Sequence, residues 1–169
     1  MPDQIRHGLV AMDLDIRKAS REDVPGVVEL LREFAEFENL TQFLETTEEK
    51  LAGVLFGEHS FVECLVALDN DKLIAYAILY PNFASFRGQK GMYLEDIFIN
   101  TEYRGTGLGE RLLKEVAKLA RLKGCERVDF MVLDWNTSAI KFYEKHGAVR
   151  DEDERHFKFV DQAFEKLSS

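Results

Sequence analysis

The stretch Tyr103-Arg104-Gly105-Thr106-Gly107-Leu108-Gly109 decides the fold of this chain. It follows an apolar segment with the character of a strand and precedes a segment whose apolar residues recur at helical spacing. Three glycines at alternate positions let the backbone turn tightly and approach a ligand without Cβ atoms in the way. The N–H groups that open the following helix favour an anion such as a pyrophosphate. This order of strand, glycine loop and helix predicts an α/β fold with an anion site at the loop.

Two common phosphate-binding loops fit the stretch poorly. A P-loop requires Lys followed by Ser or Thr after its last glycine, whereas Glu110 and Arg111 follow here. A dinucleotide-binding loop has the spacing G-x-G-x-x-G early in a larger domain, whereas this loop reads G-x-G-x-G beyond the middle of the chain. Glycines that serve only to form a turn are the plain alternative to a ligand-binding loop.

Composition excludes several classes of protein. The chain has 169 residues, of which 46% are hydrophobic and 31% charged, as is typical of one globular domain with its own core. Its 22 basic and 31 acidic residues give a net charge of −9, which disfavours nucleic acid as a partner. An acidic surface attracts cationic small molecules, but many soluble proteins are acidic simply for solubility. No apolar run approaches the ~20 residues of a membrane-spanning helix. The two cysteines, Cys64 and Cys125, suit a reducing cytoplasm, and the histidines form no metal-ligand pattern, so we expect no metal site.

The order of the predicted elements indicates a mixed central sheet flanked by helices. We expect residues 1–12 to form a flexible leader and residues 13–169 to form one domain. Two capping patterns indicate the starts of the first two helices, namely Ser20 with Asp23 and Thr46 with Glu49. Apolar patterns predict helices near 24–35, 51–55, 109–123 and 136–146, and strands at 14–18, 61–68, 73–80, 92–99, 127–133 and 157–160, with a loop at 81–91.

Two motifs in this order resemble the GCN5-related N-acetyltransferase (GNAT) superfamily. The spacing Arg104-x-x-Gly107-x-Gly109 resembles its coenzyme-A loop. The downstream segment Asn136-x-x-Ala139-x-x-Phe142-Tyr143-x-x-x-Gly147 resembles the helix in which the Asn contacts the cofactor and the Tyr lies near the thioester sulfur. The resemblance implies acetyl-CoA as the cofactor, and strands that splay apart where its pantetheine arm enters.

A third segment narrows the resemblance to one branch. Met92-Tyr93-Leu94-Glu95-Asp96-Ile97-Phe98-Ile99, with Asp134-Trp135-Asn136 and Phe56-Gly57-Glu58-His59, looks like the diamine (spermidine/spermine) branch, which includes the thialysine acetyltransferases. The similarity runs from about residue 16 to 161, and it implies a homodimer. The polyamine acetylases of this branch carry an aromatic residue where this chain has the acidic segment 151–156. Polyamines, thialysine-like amino acids and related diamines therefore all stay open as substrates.

The resemblance also assigns roles to individual residues. Acetyl transfer needs a neutral amine, so a carboxylate must accept the proton of the ammonium group. Glu95 is the candidate and Asp96 the alternative, because neighbouring side chains of a regular strand face opposite ways unless a bulge intervenes. Tyr143 is the expected proton donor to the departing thiolate. The implied cofactor contacts are Ile97, Phe98, Ile99, Arg104, Gly105, Thr106, Gly107, Leu108, Gly109, Glu110, Asn136, Ala139 and Tyr143.

Substrate contacts are implied for Phe37, Glu38, Glu95 and Glu152. Helical periodicity alone would place Phe37 in the core and Glu38 in solvent, Glu95 and Asp96 could merely solvate a strand end, and Tyr143 could be a core aromatic. We therefore expect a cytoplasmic N-acetyltransferase that moves an acetyl group from acetyl-CoA to the primary amine of a small cationic substrate by direct attack. The alternatives are a protein lysine or N-terminal acetyltransferase and a non-catalytic acyl-CoA-binding sensor.

Overall fold

A computed structural model describes residues 14–169 of the chain, and the expected leader at residues 1–12 lies outside the described residues. The described residues group into two compact units. The first ends at Met131 and the second is Val132–Ser169.

The first unit carries the sheet and three helices of two or more turns in its described part. The elements in chain order are β1 (Leu14–Lys18), α1 (Val24–Phe37), α2 (Glu48–Phe56), β2 (Glu63–Asp69), β3 (Lys72–Ala84), β4 (Gln89–Ile99), α3 (Leu108–Leu122) and β5 (Arg127–Asp129). Single 3₁₀ turns lie at Arg21–Asp23, Thr41–Phe43 and Thr101–Tyr103. The strands form one sheet in the order β1-β2-β3-β4-β5. Only the β4–β5 pair is parallel, and the others are antiparallel, so the predicted mixed sheet is confirmed.

Two apolar clusters cover the two faces of this sheet. On one face, Leu108, Leu112 and Val116 of α3 are buried against strand residues such as Leu94. Their spacing of four residues gives α3 the apolar stripe that a sheet-packed helix needs. On the other face, α1 and α2 bury residues such as Val27 and Leu51 against the strands. The sheet is therefore a middle layer between α3 and the α1–α2 pair.

A β-bulge interrupts β4 at Glu95. Ile78 of β3 pairs with Asp96, but the next residue, Leu79, pairs with Leu94, so Glu95 is the extra residue in the ladder. Leu94 and Ile97 both pack in the apolar cluster between the sheet and α3 (the α3 cluster). Because both of these side chains face α3, Glu95 and Asp96 between them project from the opposite, α1 side of the sheet. The bulge thus places two consecutive carboxylates on one face.

Strands β4 and β5 part soon after they meet. Their parallel ladder runs only from the Gly91–Arg127 pair to the Tyr93–Asp129 pair, while β4 continues to Ile99. Within the described residues, β5 ends at Asp129, so the later part of β4 has no ladder partner on that side. This is the splayed pair of strands that the resemblance implied.

The second unit contains α4 (Thr137–Lys145) and α5 (Asp161–Ser168). Asn136 caps α4 by accepting a hydrogen bond from the Ala139 N–H at 3.2 Å, and Gly147 follows the helix with a φ of +88°, as the sequence predicted. Helix α5 was not predicted, and the strand predicted at 157–160 is wrong, because Phe157 and Phe159 lie in irregular, exposed backbone.

Three other sequence predictions need correction. The strand predicted at 127–133 is only three residues long, because it pairs only where β4 runs beside it. The loop predicted at 81–91 is mostly a β-hairpin, since Pro81 to Ala84 extend β3 and pair with β4. The cap of α2 is Thr47, whose hydroxyl accepts from the Lys50 N–H at 3.2 Å, rather than Thr46. The capping box of Ser20 and Asp23 is confirmed.

Candidate active site

The glycine loop leads into the amino end of α3 through two residues in the left-handed region. Gly105 has a φ of +75° and Gly107 a φ of +86°. A Cβ at either position would meet no atom within 4 Å, so the backbone conformation, rather than crowding, calls for glycine. Thr106 fixes the turn by donating from its hydroxyl to the Tyr103 carbonyl at 2.6 Å. The loop therefore keeps a defined, open shape.

The amino end of α3 suits a pyrophosphate. Gly107 is the N-cap of the helix, and it has no side chain to cap the N–H groups of the first turn. Those groups carry the positive end of the helix dipole and are available to anionic oxygens. Leu108 is buried in the α3 cluster, which fixes the start of the helix, and Glu110 pairs with Lys114 at 2.7 Å. The loop and the start of the helix thus suit an anionic ligand such as a phosphate group.

Arg104 does not extend freely from the loop. Its guanidinium carbon lies 4.3 Å from the centroid of the Phe37 ring and 5.4 Å from that of Phe98. Its Nε donates to the Ile99 carbonyl at 3.2 Å. Burial lowers the pKa of Arg104 from its ordinary value. The structure thus brings together Arg104, assigned to the cofactor, and Phe37, assigned to the substrate.

The bulge brings three acidic side chains together. Glu95 is exposed and Asp96 is half-buried. Burial is the main cause that raises the pKa of Asp96 to about 7, and the charges of Glu95 and Glu38 add to it. Glu38 follows the last residue of α1, and burial raises its pKa as well. A carboxyl group with a pKa near neutrality can take up and release a proton under physiological conditions.

Two tyrosines stand beside Glu95 on the same face of the sheet. The rings of Tyr80 and Tyr93 stack with their centroids 5.2 Å apart, and Phe61 meets Tyr80 edge-on at 6.4 Å. Burial, the charge of Glu95 and a hydrogen bond to Glu95 raise the pKa of Tyr80 to about 12. Sequence reasoning missed this pair, because only the pairing of β3 with β4 beyond Pro81 shows that the two rings lie side by side.

The sequence left open whether Phe37 is a core residue or a substrate contact. It is 37% exposed, so it is not a core residue, and Arg104 covers part of its ring. Glu38 is half-buried rather than solvent-facing. Both residues therefore lie where α1 ends, on the side of the sheet that carries the carboxylates.

The second unit contains the remaining predicted site residues. Asn136 and Ala139 meet in the cap of α4, which uses the side-chain oxygen of Asn136. Tyr143 is half-buried, its ring contacts Phe142 edge-on at 5.3 Å, and burial raises its pKa to about 12. Glu152 is exposed, with a carboxylate oxygen 3.9 Å from a guanidinium nitrogen of Arg150.

Two kinds of feature are absent from residues 14–169. They contain no group of three or more His, Cys, Asp and Glu side chains placed to hold a metal ion. None of their helices is long and apolar enough to cross a membrane.

Fold and site together define a class of protein. A sequence profile of the acetyltransferase (GNAT) family matches residues 24–148, well over half of the chain. An integron cassette protein from the mobile metagenome of V. cholerae has a TM-score of 0.77 to this structure at 27% identity, covering 93% of this chain and 98% of that chain. This chain belongs to the GNAT family, and the α/β fold predicted from the resemblance is confirmed.

Curated relatives narrow the class to one branch. Thialysine N-epsilon-acetyltransferase of Bos taurus is 35% identical over 164 residues, which cover 90% of this chain and 96% of that protein. Spermidine/spermine N(1)-acetyltransferase-like protein 1 of Homo sapiens is 32% identical over 141 residues, which cover 79% of this chain and 20% of that protein. The chain is therefore an N-acetyltransferase of the diamine and thialysine branch, as its motifs predicted.

Proposed function

We propose that this N-acetyltransferase moves the acetyl group of acetyl-CoA to the primary amine of a small cationic substrate by direct attack in a ternary complex. The observation that supports this most is the bulge at Glu95, which places the carboxylates of Glu95 and Asp96 on one face of the sheet, near Glu38. Three carboxylates on one face attract an ammonium group. The substrates named for the two curated relatives, thialysine and spermidine or spermine, are amines of this kind.

Coenzyme A fits the residues of the glycine loop. The N–H groups of residues 108–110 at the amino end of α3 would hold the pyrophosphate, and Gly105 and Gly107 keep Cβ atoms away from it. The free edge of β4 at Ile97 to Ile99 would pair with the amides of the pantetheine arm. By resemblance, Asn136 and Ala139 also contact the cofactor. The bound thioester supplies the activated acetyl group.

The amine must lose a proton before it attacks. An alkylammonium resembles the Lys side chain, so neutralising it at pH 7 costs about 4.6 kcal/mol. Asp96 is the better proton acceptor, because burial raises its pKa to about 7 and so makes it a stronger base than an ordinary carboxylate. Glu95 is exposed and is suited to hold the ammonium of the incoming substrate. We therefore assign the role of the base to Asp96, which the sequence offered as the alternative to Glu95.

Asp96, Tyr143 and solvent together account for every proton that moves in the transfer. The ammonium gives one proton to Asp96, and the neutral nitrogen then forms a bond to the carbonyl carbon as the carbon–sulfur bond breaks. A backbone N–H among Ile97 to Ile99 would stabilise the negative charge on the carbonyl oxygen. By resemblance, Tyr143 would donate a proton to the departing thiolate and would recover one, through solvent, from the attacking nitrogen, which is positively charged once it has bonded to carbon. One proton, first held by Asp96, goes to solvent.

Direct attack is favoured over a cysteine acyl-enzyme. Both cysteines are free and buried. Burial raises the pKa of the Cys64 thiol to about 12, so that side chain is not a nucleophile near neutral pH. Free thiols are also consistent with the cytoplasmic location that we propose.

We propose that the enzyme works as a homodimer. Large apolar side chains from residue 149 onward are exposed: Val149, Phe157, Phe159, Val160, Phe164 and Leu167. Exposed apolar side chains in such number mark an interaction surface, and the branch resemblance supplies a second copy as the occupant. Light scattering at increasing protein concentration tests this, and a monomer at all concentrations would refute it.

The test of the function is thiol release measured with a panel of amines. The panel contains thialysine, lysine, ornithine, putrescine, spermidine and a lysine-rich peptide, each with acetyl-CoA. We expect turnover with the small amines, and initial-rate lines that intersect rather than run parallel. Turnover with the peptide alone would support a protein acetyltransferase instead. Tight binding of acetyl-CoA without turnover of any amine would support a sensor.

A further inference from the structure

The hydroxyl of Tyr76 is buried without a partner. Tyr76 lies on β3 and is 0% exposed, and its hydroxyl makes no hydrogen bond to any atom of residues 14–169. Leaving a buried hydroxyl unpaired costs stability, and native proteins rarely keep one without a reason. Phenylalanine would fill the same space among the apolar residues of the α1–α2 face without that cost. The hydroxyl therefore calls for an explanation other than packing.

The hydroxyl faces the acidic group of the candidate site. Tyr76 pairs with Phe98, and Ile78, two residues along β3, pairs with Asp96. Residues two apart on a strand share a face, so the side chains of Tyr76 and Asp96 are diagonal neighbours within reach of each other. The pKa of Tyr76 is raised well above its ordinary value, first by burial and then by the charges of Asp96, Cys64 and Glu38. This agrees with the register of the strands.

We propose that Tyr76 is a positioning residue for Asp96: its hydroxyl, together with Asp96 and Glu38, binds one water molecule, and through this water it supports the ionised carboxylate that receives the substrate's proton. A buried water needs two to four polar partners, and these three side chains provide them. The role of the proton acceptor rests on the proposed function, but the effect on the titration of Asp96 does not.

The direction of the effect follows from the chemistry. A hydrogen bond to an ionised carboxylate favours the charged form and lowers its pKa, whereas burial and nearby negative charge raise it. The titratable groups that face Asp96 and Tyr76 are Glu95 of the bulge, Glu38 after α1 and the thiol of Cys64 on β2. Arg104 lies on the Phe98 ring beside them. In Tyr76→Phe these groups stay in place and only the donor is lost.

The experiment compares the wild type with Tyr76→Phe and a matched control. Tyr103→Phe is the control, because its hydroxyl donates to Asp69 at 2.9 Å, away from the acidic group. The carboxyl carbon of Asp96 is followed by ¹³C NMR as the pH is changed, with Asp96→Asn to assign its signal. We expect Tyr76→Phe to raise the pKa of Asp96 by about 0.5 to 1 pH unit and Tyr103→Phe to leave it unchanged.

Activity provides the second readout. The acid limb of kcat/KM should move to higher pH by the same amount in Tyr76→Phe, which is a loss of about threefold to tenfold on that limb. The Tm should change little, because phenylalanine fills the same space and the water keeps Asp96 and Glu38 as partners. An unchanged titration of Asp96 in Tyr76→Phe would overturn the inference, whether or not the enzyme acts on any amine. A wild type that is inactive with every amine would overturn the proposed function, while the titration would still decide the role of Tyr76.

Discussion

The guanidinium group of Arg104 covers the ring of Phe37, with its central carbon 4.3 Å from the ring centroid. Arg104 opens the glycine loop, and Phe37 is the last residue of α1. Glu38 follows Phe37 and interacts with Asp96. The contact therefore connects the loop that is proposed to bind the cofactor with the cluster of acidic residues that is proposed to bind the amine.

This contact predicts that Arg104→Lys weakens amine binding as well as cofactor binding. Lysine keeps the charge but loses the flat stacking surface of the guanidinium. A cation–π contact of this kind is worth about 0.5–1 kcal/mol, so we expect the KM for the amine to rise about twofold to fivefold. Steady-state kinetics with the best amine of the panel measures this. The control is Lys72→Met, which removes the ammonium 5.8 Å from the Tyr103 ring. A change in the acetyl-CoA affinity alone would show that the contact does not join the two sites.

The conformation of Gly107 predicts a selective loss of cofactor affinity. Gly107→Ala places a Cβ on a backbone with φ of +86°, which costs about 1–2 kcal/mol in folding. Gly88→Ala in the β3–β4 turn meets the same backbone strain, with φ of +62° and no atom within 4 Å. We expect both variants to lose similar stability in thermal unfolding. Only Gly107→Ala should raise the Kd for acetyl-CoA measured by calorimetry, because its Cβ would face the pyrophosphate. Equal Kd values for the two variants would contradict the loop assignment.

How far the site could be predicted depends on how local its determinants are. The turn at Gly105 and Gly107 and the cap at Asn136 are set by residues adjacent in sequence, so motif and spacing predicted them. The stack of Tyr80 on Tyr93 and the approach of Tyr76 to Asp96 depend on strand register. That register includes a bulge, which no local pattern locates to one residue. The strand predicted at 157–160 failed for the same reason, since alternating apolar residues specify a strand only when a partner strand is present.

The raised pKa of Asp96 predicts that this side chain lowers the stability of the fold while it supports acetyl transfer. The pKa is about 7 in the folded protein against an ordinary value of 3.8. The folded state then binds the proton more tightly than the unfolded chain, so Asp96 lowers stability as the pH rises from about 4 to 7. We expect Asp96→Asn to abolish most acetyl transfer yet raise the Tm at pH 8 by about 2–4 °C for each kcal/mol recovered. The gain should disappear at pH 4, as measured by calorimetry.

Asp23→Asn is the control of opposite sign. The pKa of Asp23 is lowered to about 2, mainly by its hydrogen bonds with Arg17 at 2.7 and 2.9 Å. This carboxylate stabilises the fold above the unfolded pKa, and the contribution is lost as the pH falls towards 2. Its replacement should lower the Tm at pH 8, and the deficit should narrow in acid. A Tm gain in Asp96→Asn that stays the same from pH 4 to 8 would show that the charge of Asp96 is not the cause.

The buried hydroxyl of Tyr143 is the group that we expect to protonate the departing thiolate. Burial raises its pKa to about 12, so the hydroxyl keeps its proton at neutral pH and is present as a donor when the thiolate leaves. We expect Tyr143→Phe to lower kcat by about 10²-fold, the low end for general acid catalysis, while the Kd for acetyl-CoA changes little. Stopped-flow single turnover separates the chemical step from product release. The edge-on contact with Phe142 keeps a phenyl ring in place in the variant, so a lost hydroxyl is the main change. Turnover at the wild-type rate would refute the acid role and leave Tyr143 as a packing residue of α4.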